Sequence, residues 1–297
     1  MAVSLAGVFP PIPTPFDAAG ELALDKLAAN LAFWNTTGVA GYVVLGSNGE
    51  FPFLSEAEKL AVLETVGRHI APGKLCIAGT GCESARHTIA LTRRAAELGA
   101  HAALVVTPNY YKPKMDAAAF TAFYQAVADA SPIPIAIYTM PAYTGIDISV
   151  DAVARLSQHP NIIGMKDSSG SMPKYGDMLR QARPGFQVLA GSASFLFAAL
   201  CLGASGGVCA LANIAPAQTV ELYKLTKAGK LAEARALQYR LMAPNAAVTS
   251  GYGIAGLKYA CELTGLYGGP VRLPLLPLGE HEQARLRATL AEAGLLP

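Results

Sequence analysis

The chain has 297 residues, 52% hydrophobic and 15% charged, with a formal net charge of +2. Such a composition can bury a large core, which argues against a disordered chain, and the small, scattered charge points away from nucleic acid and membrane surfaces. No apolar run reaches about 18 unbroken residues, so no transmembrane helix is expected.

The elements follow in order. Val8 to Phe16 carries four prolines and reads as a short first strand entering an ordered loop. Leu22 to Thr37 has Leu24, Leu27, Leu31 and Trp34 at helical spacing, and Gly38 stops it. Gly41 to Leu45 is a second strand, followed by Gly46-Ser47-Asn48-Gly49-Glu50. Ser55-Glu56-Ala57-Glu58 has the form of a capping box and opens a helix. Leu75 to Ala78 is a third strand, Ser84 to Leu98 a helix, and Ala102 to Val106 a fourth strand running into Thr107-Pro108-Asn109-Tyr110-Tyr111. Ala117 to Ala130 is helical, Ile133 to Tyr138 is a fifth strand and Val150 to Ser157 is helical. Ile162 to Ser168 is a sixth strand, Phe186 to Ala190 a seventh and Gly206 to Cys209 an eighth, with a helix at Phe195 to Leu202 between the last two. From Pro216 onward only helices are readable, at 217–228, 231–243, about 253–264 and 280–293.

Strand and helix alternating eight times is the pattern of a (β/α)8 barrel. The expected division is a catalytic barrel over residues 1–213 and a helical extension over 214–297 packed on it. A doubly wound open sheet is the runner-up, but the first turn lacks its Gly-rich fingerprint. Five cysteines form no CxxC pair and four lie in apolar segments, which favours reduced thiols. With no secretory or transit pattern at Met1-Ala2-Val3-Ser4, a cytoplasmic protein is expected.

Barrel chemistry sits at the C-terminal ends of the strands. Ser47, Asn48, Tyr110, Tyr111, Tyr138 and Lys166 all fall there. Lys166 closes an apolar strand, where an ammonium leaves water at a cost and the neutral amine is a nucleophile toward ketones. It could equally be the first solvated residue after that strand. Tyr138 and Lys166 end consecutive strands about 4.8 Å apart, so phenol and amine form a proton-transfer pair unless Tyr138 is a half-buried strand end. The loop at 46–49 reads either as a carboxylate nest or as an ordinary glycine turn. Glu50 reads as a residue that ties down its own loop. The five histidines show no ligand spacing, so no metal is expected.

Gly46-Ser47-Asn48-Gly49-Glu50, Tyr138 followed by Pro141 and Thr144-Gly145, and Gly164-Met165-Lys166-Asp167 resemble the dihydrodipicolinate synthase/N-acetylneuraminate lyase family of class I aldolases. The resemblance covers Gly7 to Asn213 and continues into the extension. Within that family it points to the 4-hydroxy-2-oxoglutarate aldolases, over Gly46 to Leu54, Ala78 to Ser84, Val105 to Tyr111, Leu156 to Ser168, Gln187 to Ser192, Gly206 to Asn213 and Pro244 to Thr249. It implies a Schiff base on Lys166 with the ketone of a 2-oxo acid, proton transfer by Tyr138, and a hydroxyl relay through Ser47 and Tyr110. The matching tyrosine is usually supplied by a neighbouring subunit, which makes a dimer the minimum active unit, and the resemblance also implies a homotetramer built as a dimer of dimers. Ser47 and Asn48 would hold the 2-oxo acid's carboxylate, with no cofactor or metal required.

One position departs from the synthases. They carry an arginine two residues after the proline matching Pro141, and here that position is Tyr143. A neutral phenol does not replace a bidentate guanidinium. The expected reaction is therefore cleavage of 4-hydroxy-2-oxoglutarate to pyruvate and glyoxylate, with Ser168 and backbone N–H groups near Gly191 holding the glyoxylate carboxylate. The alternatives are 4-hydroxy-tetrahydrodipicolinate synthase, a 2-oxo-3-deoxy sugar acid aldolase, and a binding protein without turnover, for which Lys166 has no use.

Overall fold

A computed structural model describes residues 3–296. Eight strands, β1 (Gly7–Phe9), β2 (Gly41–Val44), β3 (Leu75–Gly79), β4 (Ala102–Val106), β5 (Ile135–Thr139), β6 (Ile162–Asp167), β7 (Gln187–Ala190) and β8 (Gly206–Val208), form one parallel sheet. Its order, β1-β8-β7-β6-β5-β4-β3-β2, is that of a barrel opened between β1 and β2. That seam is stitched by Ala40 N–H to Val8 O at 2.9 Å, Val43 N–H to Pro10 O at 3.0 Å and Ile12 N–H to Val43 O at 3.0 Å. Prolines are tolerated there because the chain needs only alternate donors along an irregular edge.

The strands are buried on both faces, and their side chains separate by alternation. Phe9, Val43, Ile77, Leu104, Tyr138, Leu189 and Val208 fill the barrel interior. Tyr42, Val44, Val105, Ile137, Met165 and Val188 point outward into a second, larger core beneath the helices. This period of two puts Tyr138 and Lys166 inside. The two cores make the strand termini rigid platforms, since deleting one such side chain costs about 2–5 kcal/mol.

The expected helices are present with shifts of one to three residues at their ends, and the capping box closes with Ser55 N–H to Glu58 Oε2 at 2.7 Å and Glu58 N–H to Ser55 Oγ at 3.2 Å. Two helices were not legible. Met172–Gln181 follows β6 behind a Ser171 N-cap, with Pro173 in its first turn, and Pro141–Thr144 is a single turn ended by Gly145 at φ 67°. Beyond β8 lie the helices Pro216–Lys227, Leu231–Ala246, Gly253–Leu263 and Glu280–Glu292. Residues 247–251 between the second and third are wound as a π-helix, after Pro244 removes a backbone donor. The extension locks onto the barrel through polar bonds as well as packing. Asn30 exchanges two bonds with the Tyr267 backbone, at 2.7 and 2.9 Å. Among the described residues no helix is long and apolar enough to cross a membrane.

Of the five cysteines, Cys76, Cys209 and Cys261 are buried, Cys82 is half-buried and Cys201 is exposed at the end of helix Leu196–Leu202. Burial pushes the three buried thiols up to about 12, so they stay protonated and unreactive.

Candidate active site

Tyr138 and Lys166 stand opposite each other in the β5–β6 register. Each is 4% exposed, so the lysine is a buried residue and not the first solvated one. Its Nζ lies 3.9 Å from the centroid of the Tyr138 ring, above the face rather than on the hydroxyl. The Tyr138 hydroxyl instead lies 3.2 Å from Ser47 Oγ. Amine, phenol and serine thus form a line across the barrel mouth.

Three lysines are buried or nearly so, and they differ in their partners. Lys258, 1% exposed, lies 2.5 Å from Glu50 Oε1 and donates to Pro270 O at 2.7 Å. Lys174 lies 2.5 Å from Asp147 Oδ1 and 2.9 Å from Asp167 Oδ2. Among the described residues Lys166 has no carboxylate within ion-pairing distance. Of the three, Lys166 is the one whose amine is not committed to a carboxylate.

The Lys174 cluster braces the strand ends that carry the chemistry. Thr139 Oγ1 donates to Asp147 Oδ1 at 2.7 Å, Ser169 N–H donates to Asp167 Oδ1 at 2.6 Å, and the Tyr175 hydroxyl lies 2.5 Å from Asp167 O. Residues 139 and 167, next to Tyr138 and Lys166, are therefore fixed by side chains outside the barrel. Burial, followed by the Asp167 charge, pushes the Tyr175 phenol well above its ordinary value, so it remains a donor.

The Ser47–Asn48 loop is a 3₁₀ turn, Ser47–Gly49, flanked by two non-glycine residues in the left-handed region, Leu45 at φ 60° and Glu50 at φ 54°. Such conformations cost about 1–3 kcal/mol each and persist only when the surroundings impose them. Thr14 Oγ1 donates to Gly49 O at 2.7 Å, and the Glu50 carboxylate meets Lys258 and accepts from Arg272 N–H at 2.9 Å. Glu50, expected to secure its own loop, secures it to the helical extension. Burial pulls the Lys258 ammonium below its ordinary value while Glu50 opposes that pull.

Two adjoining cavities open at this end of the barrel. One, of about 350 Å³, contains Lys166, Asn48, Ser168, Gly191 and Ser192. The other, of about 500 Å³, is largely apolar. Ser47, Tyr138 and Tyr143 face both. Ser168 Oγ is buried without a hydrogen-bond partner among the described residues. A Cβ on Gly191 would sit 2.0 Å from that oxygen, so only glycine leaves room for it.

Of the backbone N–H groups near Gly191 expected to meet a substrate carboxylate, that of Gly191 itself donates to Asp167 O at 2.8 Å as part of the β6–β7 pairing, so Gly191 lines the cavity while its own donor is spent. Tyr110 does not reach the Ser47–Tyr138 pair; it is 77% exposed, edge-on to Tyr111 at 5.0 Å. Tyr143 is 61% exposed at the cavity mouth. Sequence reasoning missed Lys174, Ser192, Asn245 and the role of Lys258, each of which acts through a partner distant in the chain.

Fold and site together place a buried lysine, without an ion-pair partner among the described residues, at the mouth of a barrel. The family model described as the dihydrodipicolinate synthetase family matches residues 4–293. A 4-hydroxy-tetrahydrodipicolinate synthase of Methanothrix thermoacetophila is 38% identical over 287 residues, 96% of each chain. A DapA-like lyase of Halobacterium salinarum is 38% identical over 294 residues, 99% of this chain and 96% of the relative. The pyruvate complex of a dihydrodipicolinate synthase from Acinetobacter baumannii superposes with a TM-score of 0.94 at 31% identity, covering 99% of this chain and all of the other. The chain belongs to the dihydrodipicolinate synthetase family, and it is a carbon–carbon lyase of the Schiff-base type. These relatives are a synthase and a lyase, and neither carries the name of a 4-hydroxy-2-oxoglutarate aldolase.

Proposed function

We propose that the enzyme cleaves 4-hydroxy-2-oxoglutarate to pyruvate and glyoxylate. The reading is carried by the cavity wall: Tyr143 stands where the synthases hold a carboxylate with arginine, and among the described residues lining the Lys166 cavity the lysine is the one cation. A chain built to grip aspartate semialdehyde by its carboxylate would lose charge-assisted bonds of about 1.5–3 kcal/mol each at that position.

In this reading the Lys166 amine attacks C2 and water leaves, giving an iminium. The C4 hydroxyl loses its proton to Tyr138, which passes its own toward Ser47. The C3–C4 bond breaks, its electron pair enters the iminium as an enamine, and glyoxylate departs. Tyr138 returns a proton to C3, and water attacks the iminium to release pyruvate and free the amine. Ser47 and Asn48 hold the C1 carboxylate. Tyr110, remote from its own site, completes the relay in a neighbouring copy.

The names of the synthase relatives favour a second reading, condensation of pyruvate with aspartate semialdehyde. Both reactions are measured on one preparation. A higher kcat/KM for 4-hydroxy-2-oxoglutarate cleavage supports the first reading, and a faster condensation overturns it.

A further inference from the structure

Helix Leu231–Ala246 reaches over the β7 end of the barrel and holds its loop twice from one face. Gln238 Nε2–H donates to Ala193 O at 2.9 Å, and Asn245, seven residues and two turns later, donates from Nδ2 to Ser192 Oγ at 3.1 Å. Ser192 Oγ also lies 3.3 Å from Ser194 N–H and 3.1 Å from Ser194 Oγ. These neighbours approach the oxygen as donors, so its own hydrogen is left to point elsewhere. Asn245 is 2% exposed and its Oδ1 has no partner among the described residues. Both residues line the cavity that holds Lys166. If the amide is turned over, Ser192 donates to Asn245 Oδ1 and the amide N–H groups become the unused donors. Either orientation leaves the pair with a donor and no protein acceptor.

We infer that Ser192 and Asn245 form a binding pair for the carboxylate on the aldehyde half of the substrate. This rests on the proposed cleavage of 4-hydroxy-2-oxoglutarate. A carboxylate in this cavity meets no second cation, so hydroxyl and amide donors must hold it. Ser168 Oγ, buried and unpartnered at the neighbouring strand end, supplies one such donor, and Ser192 supplies the next. The spent Gly191 N–H between them supplies none. With Asn245 Nδ2 donating to Ser192 Oγ, Ser192 touches the substrate and Asn245 is a positioning residue that orients the serine. The π-wound segment at 247–251 begins just past Asn245 and carries Val248 and Thr249 onto the same wall.

The test compares 4-hydroxy-2-oxoglutarate with 4-hydroxy-2-oxobutanoate, which breaks at the same bond but has no second carboxylate. Ser192→Ala should lower kcat/KM for the first about 10–100-fold more than for the second, the loss of one or two charge-assisted bonds. Asn245→Ala should shift the same ratio, and the double variant should shift it no further, because the asparagine acts through the serine. Ser192→Thr, which keeps the hydroxyl, should recover most of the preference. The ratio is independent of the folded fraction, so a poorly folding variant still gives an answer. Equal losses on both substrates, additive shifts, or no rescue by threonine overturn the pair. An unsubstituted enzyme that releases no pyruvate from 4-hydroxy-2-oxoglutarate overturns the cleavage reading, and the pair with it; turnover with an unshifted ratio overturns the pair alone.

Discussion

Lys166 and Tyr138 were legible as single residues because each breaks an apolar strand where a parallel barrel places its chemistry. What the local sequence could not give was the partners. Lys258 meets Glu50, 208 residues away, and Lys174 meets Asp147, 27 residues away, as well as Asp167 nearby, and nothing in the sequence singles out these pairings. Ser192 and Asn245 are 53 residues apart and meet only because a helix of the extension crosses the barrel mouth. At this scale two outcomes are expected. Lys166→Arg should abolish turnover, because a guanidinium stays protonated and offers no lone pair. Tyr138→Phe should keep the fold and lower kcat by about 10²–10⁴-fold, the contribution of a positioned proton-transfer group. The phenyl ring still fills the barrel interior, so the melting temperature should hardly move; near-normal turnover would return Tyr138 to a packing role.

The 46–50 loop and the extension behave as one element. Leu45 and Glu50 hold left-handed backbone on either side of Ser47 and Asn48, and the Glu50–Lys258 ion pair maintains that shape. Removing one member of a buried pair leaves the other charge uncompensated, at about 3–5 kcal/mol. Glu50→Gln should therefore lower the melting temperature and also raise KM for the 2-oxo acid, while Glu50→Gln with Lys258→Met should recover more stability than affinity. Equal recovery of both would mean that the pair stabilises the fold without shaping the loop. Most elements could be read because their periodicity, caps and glycine stops agree. Helix Met172–Gln181 could not, because Ser169, Gly170, Ser171 and Pro173 look like a loop; Ser171 is in fact its N-cap, and a proline in the first turn removes no helical bond.

At the scale of the molecule, the extension is also tied down at Arg272, which hydrogen-bonds Glu58 in the capping box of helix Glu56–His69. The hydrogen bond from Arg272 lowers the Glu58 carboxyl from 4.5 to about 2. A carboxyl depressed in the folded state contributes stability above its unfolded value and loses it as pH falls through the folded one. The pair's contribution should therefore fade between about pH 4.5 and pH 2, and Glu58→Gln should flatten the stability profile in that window. A denaturation series with an equally steep slope in the variant would contradict this. The exposed Tyr110 makes a claim about copies of the chain. Tyr110→Phe and Lys166→Arg should each be nearly inactive alone, and chains mixed under exchange should regain activity, since a mixed pair contains one site with both groups. No recovery would place the relay within one chain or remove Tyr110 from it.

The central claim is that the unpaired buried lysine is the nucleophile. The direct measurement is to incubate the full chain with pyruvate and borohydride, digest it, and weigh the peptides. A reduced pyruvyl adduct is expected on the peptide containing Lys166, absent without pyruvate and absent in Lys166→Arg. An adduct on Lys258 or Lys112 instead, or no adduct while the enzyme still turns over, would contradict it.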